Sequence, residues 1–243
     1  MIPYDDIDTL FLDAGNTLVS IDFDWIAREL AERGVTSGAV ALRRAEAAAR
    51  PRVSAILADG GEAGRVDFSF SGYLDAVFEQ LEARGVDFGG RRASLVAELT
   101  PILHRPGESA RLWRFVLPDV PDALVGLRAL GLRLVVVSNS DGTVARSLDE
   151  QGLAGHFDAI CDSALVGFEK PDPRLFAHAL EMAGARPERT LHVGDLYSAD
   201  VVGARRAGVH ALLLDPFDDW GEVDVPRLPD LAALHRTLAG RRA

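Results

Sequence analysis

A chain of 243 residues, 48% hydrophobic and 26% charged, has the apolar content for a sizeable core. Its net charge of −11 excludes nucleic acid and anionic membrane surfaces as main partners, because both need a positive face. The single cysteine, Cys161, cannot form an internal disulfide and is expected to be a buried, inert thiol in a reducing compartment.

The N-terminal MIPYDDID is acidic and lacks a leader pattern. The longest apolar runs fall far short of the ~20 residues that cross a bilayer, so a cytoplasmic protein is expected. TLFLD, ending at Asp13, reads as a buried strand, and Gly15 and Asn16 after it suit a tight turn. Residues 20–113 carry DWIARELAERG, SGAVALRRAEAAARPRVSAILADGG, FSGYLDAVFEQLEARG and RRASLVAELTPILHR, all at helical spacing with no convincing strand. In this stretch Arg43, Arg44, Arg50 and Arg52 are expected in solvent. Phe68, Phe70 and Tyr73 are expected in a helical core.

From about Pro118 the runs LRLVVVSN, TLHVGD and VHALLLD read as strands. Helical patterns over Asp122–Leu132, Asp141–Leu153, Asp172–Gly184 and Ser198–Gly208 lie between them, each starting near a capping Asp or Ser. Trp113 and Trp220 are assigned to packing. The alternation predicts an α/β fold: a Rossmann-like parallel sheet flanked by helices, made by residues 1–19 and 114–243, with an all-helical insertion at 20–113.

In open α/β sheets ligands bind beyond the carboxyl ends of the strands. Three such ends carry polar groups: Asp13, Ser138-Asn139 and Gly194-Asp195. Of 26 basic residues only Lys170, in GFEKPDP, is a lysine. A chain that uses arginine for routine charge has kept a compact ammonium at one place, in a stretch that Pro171 holds extended.

Asp13 in DAGNTL, Ser138-Asn139 after LVVV, Lys170 before Pro171 and GDLYSAD (Gly194–Asp200) resemble, in order and spacing, the four motifs of the haloacid dehalogenase-like hydrolase superfamily. The helical insertion resembles that superfamily's small cap between motifs one and two. The resemblance implies a phosphohydrolase acting on a small phosphorylated substrate, with Asp13 as the nucleophile that forms an aspartyl-phosphate. It implies Mg²⁺ held by the Asp13 and Asp195 carboxylates and the Gly15 carbonyl, with Asp200 supporting the metal from behind. It implies that Ser138 and the Asn139 N–H bind phosphate oxygens, with Asn16 on the substrate side, and that Lys170 offsets negative charge. The chemistry agrees: Mg²⁺ favours a few carboxylates plus substrate oxygens and water, and an anion attacking a phosphate needs positive charge nearby. Asn16 also suits a positive φ, which it tolerates better than most residues.

Gly15 departs from the pattern. Phosphatases of the superfamily usually place a second Asp there as general acid–base, worth roughly 10²–10⁴ in rate. Three accounts stay open. A phosphohydrolase can act on a good leaving group or borrow an acid from the insertion, with Asp22, Asp24 and His104 as candidates. A metal-independent 2-haloacid dehalogenase also lacks the second Asp, but does not carry the acidic fourth motif. A non-catalytic or regulatory protein on the same scaffold is the third.

Overall fold

The computed structural model describes residues 2–63 and 70–242, with the side chains of 59–63 and 242 excepted. Phe68 lies outside the described residues. The chain starts with β1 (Thr9–Leu12) and β2 (Val19–Ile21), followed by α1 (Phe23–Glu32), α2 (Ala39–Ala63), α3 (Phe70–Ala83) and α4 (Arg92–Leu103). It then runs through β3 (Trp113–Val116), α5 (Val120–Ala129), β4 (Arg133–Ser138), α6 (Val144–Glu150), β5 (Ala159–Asp162), α7 (Ser163–Val166) and α8 (Pro173–Ala183). β6 (Thr190–Gly194) leads through a π-helical turn, Tyr197–Val201, into α9 (Val202–Arg206), and β7 (His210–Leu214), β8 (Arg227–Leu228) and α10 (Leu231–Arg242) complete the chain.

Six strands form one parallel sheet in the order β5-β4-β1-β6-β7-β8, the Rossmann-like α/β architecture that the strand and helix alternation predicts. The central strands are apolar on both faces because both are covered. Leu10 and Leu12 of β1 join Leu134, Val136, Leu191 and Val193 in a core sealed by α5, α6 and α10. Phe11 points the other way, into a core with Val135, Val137, Leu175, Phe176 and Ala204 under α8 and α9. Cys161 sits in that second core, where burial pushes its thiol up to about 11, as an inert structural thiol requires.

The helices α1–α4 bury a separate cluster of their own, including Ile26, Leu30, Leu42, Val53, Leu74, Phe78 and Leu99. The absence of strand expected for residues 20–113 needs correction at its edges. β2 and β3 pair antiparallel as a two-stranded ribbon at the two ends of the helical segment. The strands β5 and β8 and the helix α10 also go beyond the elements expected. β5 is only four residues, and β8 is a two-residue edge, too short to show a period. No helix among the described residues is long and apolar enough to cross a membrane.

Strand register aligns the chemistry. Leu12 lies beside Val136 on one side and Val193 on the other. Asp13 follows at once, Gly194-Asp195 follow Val193, and Ser138-Asn139 come one residue further along β4, so all emerge together at the carboxyl edge of three adjacent strands.

Candidate active site

Each acid reaches the site for a local reason. Asp13 extends β1, its N–H still bonded to the Val193 carbonyl at 2.9 Å. Asp195 follows β6, and the π-helical turn then brings Asp200 back over the strand end. Asp200 Oδ2 accepts the Leu196 N–H at 2.9 Å. Gly194 makes this possible: a Cβ there would lie 2.2 Å from Asp200 Cγ, so only glycine leaves room for the carboxylate.

Lys170 ties the group together. Its Nζ donates to Asp13 Oδ1 at 2.6 Å and to Asp200 Oδ1 at 2.7 Å, and all three side chains are almost fully buried. The Asn139 side chain positions the lysine: Nδ2 donates to the Lys170 carbonyl at 3.0 Å and Oδ1 accepts the Lys170 N–H at 2.7 Å. Behind them His192 Nε2 lies 2.9 Å from Asp200 Oδ1. Burial holds the imidazole pKa below its ordinary value, so as the neutral Nε2–H tautomer it donates to the carboxylate.

Burial would raise Asp200, but Lys170 and His192 outweigh it and hold the carboxyl well below the usual range. Burial would equally lower Lys170, and Asp13 and Asp200 instead hold its ammonium above its ordinary value. Asp13 is raised by burial, against the pull of Lys170. Asp195 is pushed by burial up to about 8, with Arg50 opposing and the neighbouring carboxylates adding to the rise.

The helix α2 closes one side of this group. Arg50 Nε is 3.2 Å from Asp195 Oδ2 and its guanidinium also pairs with Glu46, while Asn16 Nδ2 donates to Glu46 Oε1 at 2.9 Å and to Asp195 Oδ2 at 3.1 Å. Tyr73 donates its hydroxyl to the same Glu46 oxygen. Asn16 takes φ +52°, the left-handed turn expected of it. Further along α2, Ser54 Oγ accepts the Ser198 N–H at 2.8 Å, and Arg44 pairs with both oxygens of Asp219 at 2.7 Å.

Arg50 corrects the expectation of a solvated arginine: it is 7% exposed and spends its charge on Glu46 and Asp195. Arg43 and Arg52 are exposed, as expected. Glu46, Arg50 and His192 go beyond the site residues expected from the sequence. A signal existed for the first two. Glu46, Arg50 and Ser54 recur at four-residue spacing along the stripe of Leu42, Ala45, Ala49 and Val53, which places polar groups on the face α2 buries.

Asp13, Asp195 and Asp200 offer oxygens that all lie within 4.8 Å of one another. Four carboxyl groups (Asp13, Glu46, Asp195, Asp200) face two cations (Lys170, Arg50), so two have no cation of their own, and those of Asp13 and Asp195 are held above their ordinary range. Hydrogen bonds from described residues reach Asp13 through Oδ1 and Asp195 through Oδ2, leaving one oxygen of each. A hard divalent cation matches that oxygen-only set and charge. Asp200, with bonds to Lys170, His192 and Leu196, is committed to holding the lysine.

Beside these acids lies a cavity of about 450 Å³, lined by Asp13, Gly15, Ser138, Asn139, Lys170 and Asp195 on the sheet side. The lining also includes Phe70, Tyr73, His104 and Trp113, the last close to Gly15. Phe70, Tyr73 and Trp113 pack with the helical cluster as expected, and they also line the cavity. Of the three acid candidates, only His104 lines the cavity: Asp22 caps α1 by accepting the Trp25 N–H at 2.8 Å, and Asp24 is exposed.

Residues 7–208 match the sequence family described as haloacid dehalogenase-like hydrolase. The chain belongs to that family. It is 37% identical over 168 residues to haloacid dehalogenase-like hydrolase domain-containing protein 3 of Bos taurus, covering 67% of this chain and 65% of that protein, so the match spans just under two thirds of the relative. It is 36% identical over 130 residues to the glyceraldehyde 3-phosphate phosphatase of Methanothermobacter thermautotrophicus, covering 53% of this chain and 56% of the relative. Among solved structures, the magnesium-bound HAD-hydrolase YfnB of Bacillus subtilis shares the fold at TM-score 0.59 and 19% identity, covering 96% of this chain and 98% of that one.

In this haloacid dehalogenase-like hydrolase the missing acid has a steric counterpart. A Cβ at Gly15 would lie 3.1 Å from the Trp113 ring, tighter than ordinary van der Waals contact. The indole stands where a side chain at position 15 would go. Gly15→Asp alone is expected to give no gain in kcat on an alkyl phosphate, because the new carboxylate must first push Trp113 aside. Gly15→Asp with Trp113→Val should exceed it. A single Gly15→Asp variant that gains the roughly 10²-fold of acid catalysis would refute the steric reading.

Proposed function

We propose that the chain is a Mg²⁺-dependent phosphohydrolase acting on a small phosphorylated metabolite through an aspartyl-phosphate on Asp13. Residues 1–19 and 114–243 form its catalytic core, and residues 20–113 act as a cap that covers the site. The observation that carries this reading is the convergence of Asp13, Asp195, Asp200 and Lys170 on one cavity, where carboxyl groups outnumber cations. The phosphatase activity of the glyceraldehyde 3-phosphate phosphatase relative and the magnesium in YfnB support it.

Asp13, Asp195 and the Gly15 carbonyl would hold the metal, which supplies charge neutralisation between nucleophile and phosphate. Lys170 holds the Asp13 carboxylate oriented through Oδ1 for attack on phosphorus. Ser138 and the Asn139 N–H receive phosphate oxygens at the neighbouring strand end. Asp200, backed by His192 and the Leu196 N–H, fixes the ammonium. With no acid at Gly15, the leaving group departs with little proton assistance, which favours acyl phosphates and other weakly basic leaving groups.

Release of phosphate from acetyl phosphate and small phosphomonoesters, dependent on Mg²⁺, is the direct test. No turnover across a broad panel would defeat the reading. Chloride release from 2-chloropropionate without metal would favour the dehalogenase instead. Independently of turnover, Mg²⁺ at a hundred times its Kd should stabilise the fold by about 2.7 kcal/mol, read as a rise in Tm. An unmoved Tm at saturating Mg²⁺ would argue that the carboxylates do not grip the ion.

A further inference from the structure

Part of the cavity lining beside Asp13 is a run of rings. His104 stacks on Phe70 with centroids 5.0 Å apart and planes at 20°, Phe70 meets Tyr73 at 5.9 Å, and Tyr73 meets Trp113 at 6.2 Å. All four line the cavity, with Leu57, Val144 and Leu148. Tyr73 spends its hydroxyl on Glu46, so it presents a ring more than a polar tip.

The charges around the same space are one-sided. Among the described residues lining the cavity, Lys170 is the one Lys or Arg, and it is bound to Asp13 and Asp200. Arg50 is not part of the lining, and its Nε and Nη2 pair with Glu46 and Asp195. Asp141 and Glu169 do line the cavity. A substrate carboxylate, such as that of phosphoglycolate or phosphoserine, would find acids and rings there and no described cation to pair with. Burying such a group unpaired is costly, whereas a flat apolar group gains from every ring.

We infer that the preferred substrate is an aryl phosphate, the phosphomonoester of an aromatic alcohol with no second anionic group. The inference rests on the phosphohydrolase reading above and names its substrate class. It also answers the absence of an acid at Gly15. An Asp13 oxygen attacks phosphorus, the phosphorus–oxygen bond to the ring breaks, and the electron pair leaves on an aryloxide that spreads its charge over the ring. Solvent water protonates it. A second water then attacks phosphorus and loses its proton to the hydroxide left in solvent, the bond to Asp13 breaks, orthophosphate is released and the carboxylate is regenerated. The Trp113 indole, which takes the room of the missing acid, becomes part of the surface that holds the departing ring. The cavity of about 450 Å³ falls within the range that takes up small ligands, and is roomy enough for a bicyclic group.

The test compares kcat/KM of the full chain with Mg²⁺ on 1-naphthyl phosphate, phosphoglycolate, phosphoserine and acetyl phosphate. Acetyl phosphate is too small to reach the rings and reports the hydrolase chemistry alone. 1-Naphthyl phosphate should exceed phosphoglycolate and phosphoserine by at least about tenfold, the scale of one or two aromatic contacts. Phe70→Leu should cut the ratio of 1-naphthyl phosphate to acetyl phosphate by about tenfold. In the unmodified protein, 1-naphthylmethylphosphonate should inhibit more tightly than phosphonoacetate, a comparison that needs no variant to fold. If acetyl phosphate is hydrolysed while phosphoglycolate or phosphoserine outruns the naphthyl ester, or if phosphonoacetate binds tighter, the substrate assignment fails and the hydrolase reading stands. An unchanged ratio in a folded Phe70→Leu variant would overturn the aromatic wall. No phosphate from any of the four compounds would remove both.

Discussion

Asp13→Asn should lower phosphate release by at least about 10⁴-fold while leaving the protein folded, on the scale seen when a nucleophile is removed. The amide is nearly isosteric with the carboxylate, so β1, the turn at Asn16 and the cavity wall keep their packing. What changes is chemistry. An amide oxygen is a poor nucleophile toward phosphorus and a weaker partner for Lys170, whose Nζ retains its bond to Asp200 Oδ1. The check is a single-turnover measurement of phosphate from acetyl phosphate, alongside a thermal melt. Activity within tenfold of the unmodified protein would show that Asp13 does not attack the substrate. Hydride reduction of an acid-quenched reaction mixture, which converts an aspartyl-phosphate to homoserine, should mark residue 13 and no other.

Lys170→Met should destabilise the fold by about 3–5 kcal/mol at neutral pH, the cost of leaving a buried charge without its partner. The ammonium is the shared cation of Asp13 and Asp200, both buried, and methionine fills a similar volume with no charge. The sign with pH follows from Asp200. Its folded pKa lies below the ordinary 3.8, so its contribution to stability is present above that value and lost as pH falls through the folded pKa. The deficit of the variant is therefore greatest at neutral pH and narrows in acid. Denaturant melts of both proteins across pH should trace this convergence; a deficit that stays constant through and below the carboxylate range would mean that packing, not charge, is lost. Lys170→Arg should not restore stability, because a planar fork cannot occupy a space built for a compact ammonium between two carboxylates and the Asn139 clamp.

The parts of this molecule that could be read from its sequence are those whose chemistry sits at the end of a recognisable run. Asp13, Ser138 and Asp195 each close an apolar strand, and Lys170 stands out as the one lysine among arginines. Their convergence needed only the strand order, with β1 between β4 and β6. Arg50 and Glu46 were harder, because a helix rich in Ala and Arg reads as solvated unless one asks which face lies against something. His192 hides within TLHVGD, where a ring that lies behind Asp200 looks like any strand residue. The β2–β3 ribbon is short, and its register shifts between Ser20 and Ile21, so neither strand shows a clean alternation. Trp113 illustrates a further difficulty: its nearness to Gly15 joins residues almost a hundred positions apart, and no local pattern encodes it.

The way α2 is fastened has an evolutionary consequence. Its Arg44, Arg50 and Ser54 reach two loops at the carboxyl edge of the sheet at three points: Asp219 after β7, and Asp195 and Ser198 in the segment that follows β6. Exchanging this helical segment for that of a cousin would strip Asp195 of its guanidinium and Ser198 of its acceptor in one step. Such chimeras should fail unless the recipient loops are exchanged too, so selectivity and framework in this lineage are inherited as a linked pair and not as freely shuffled modules.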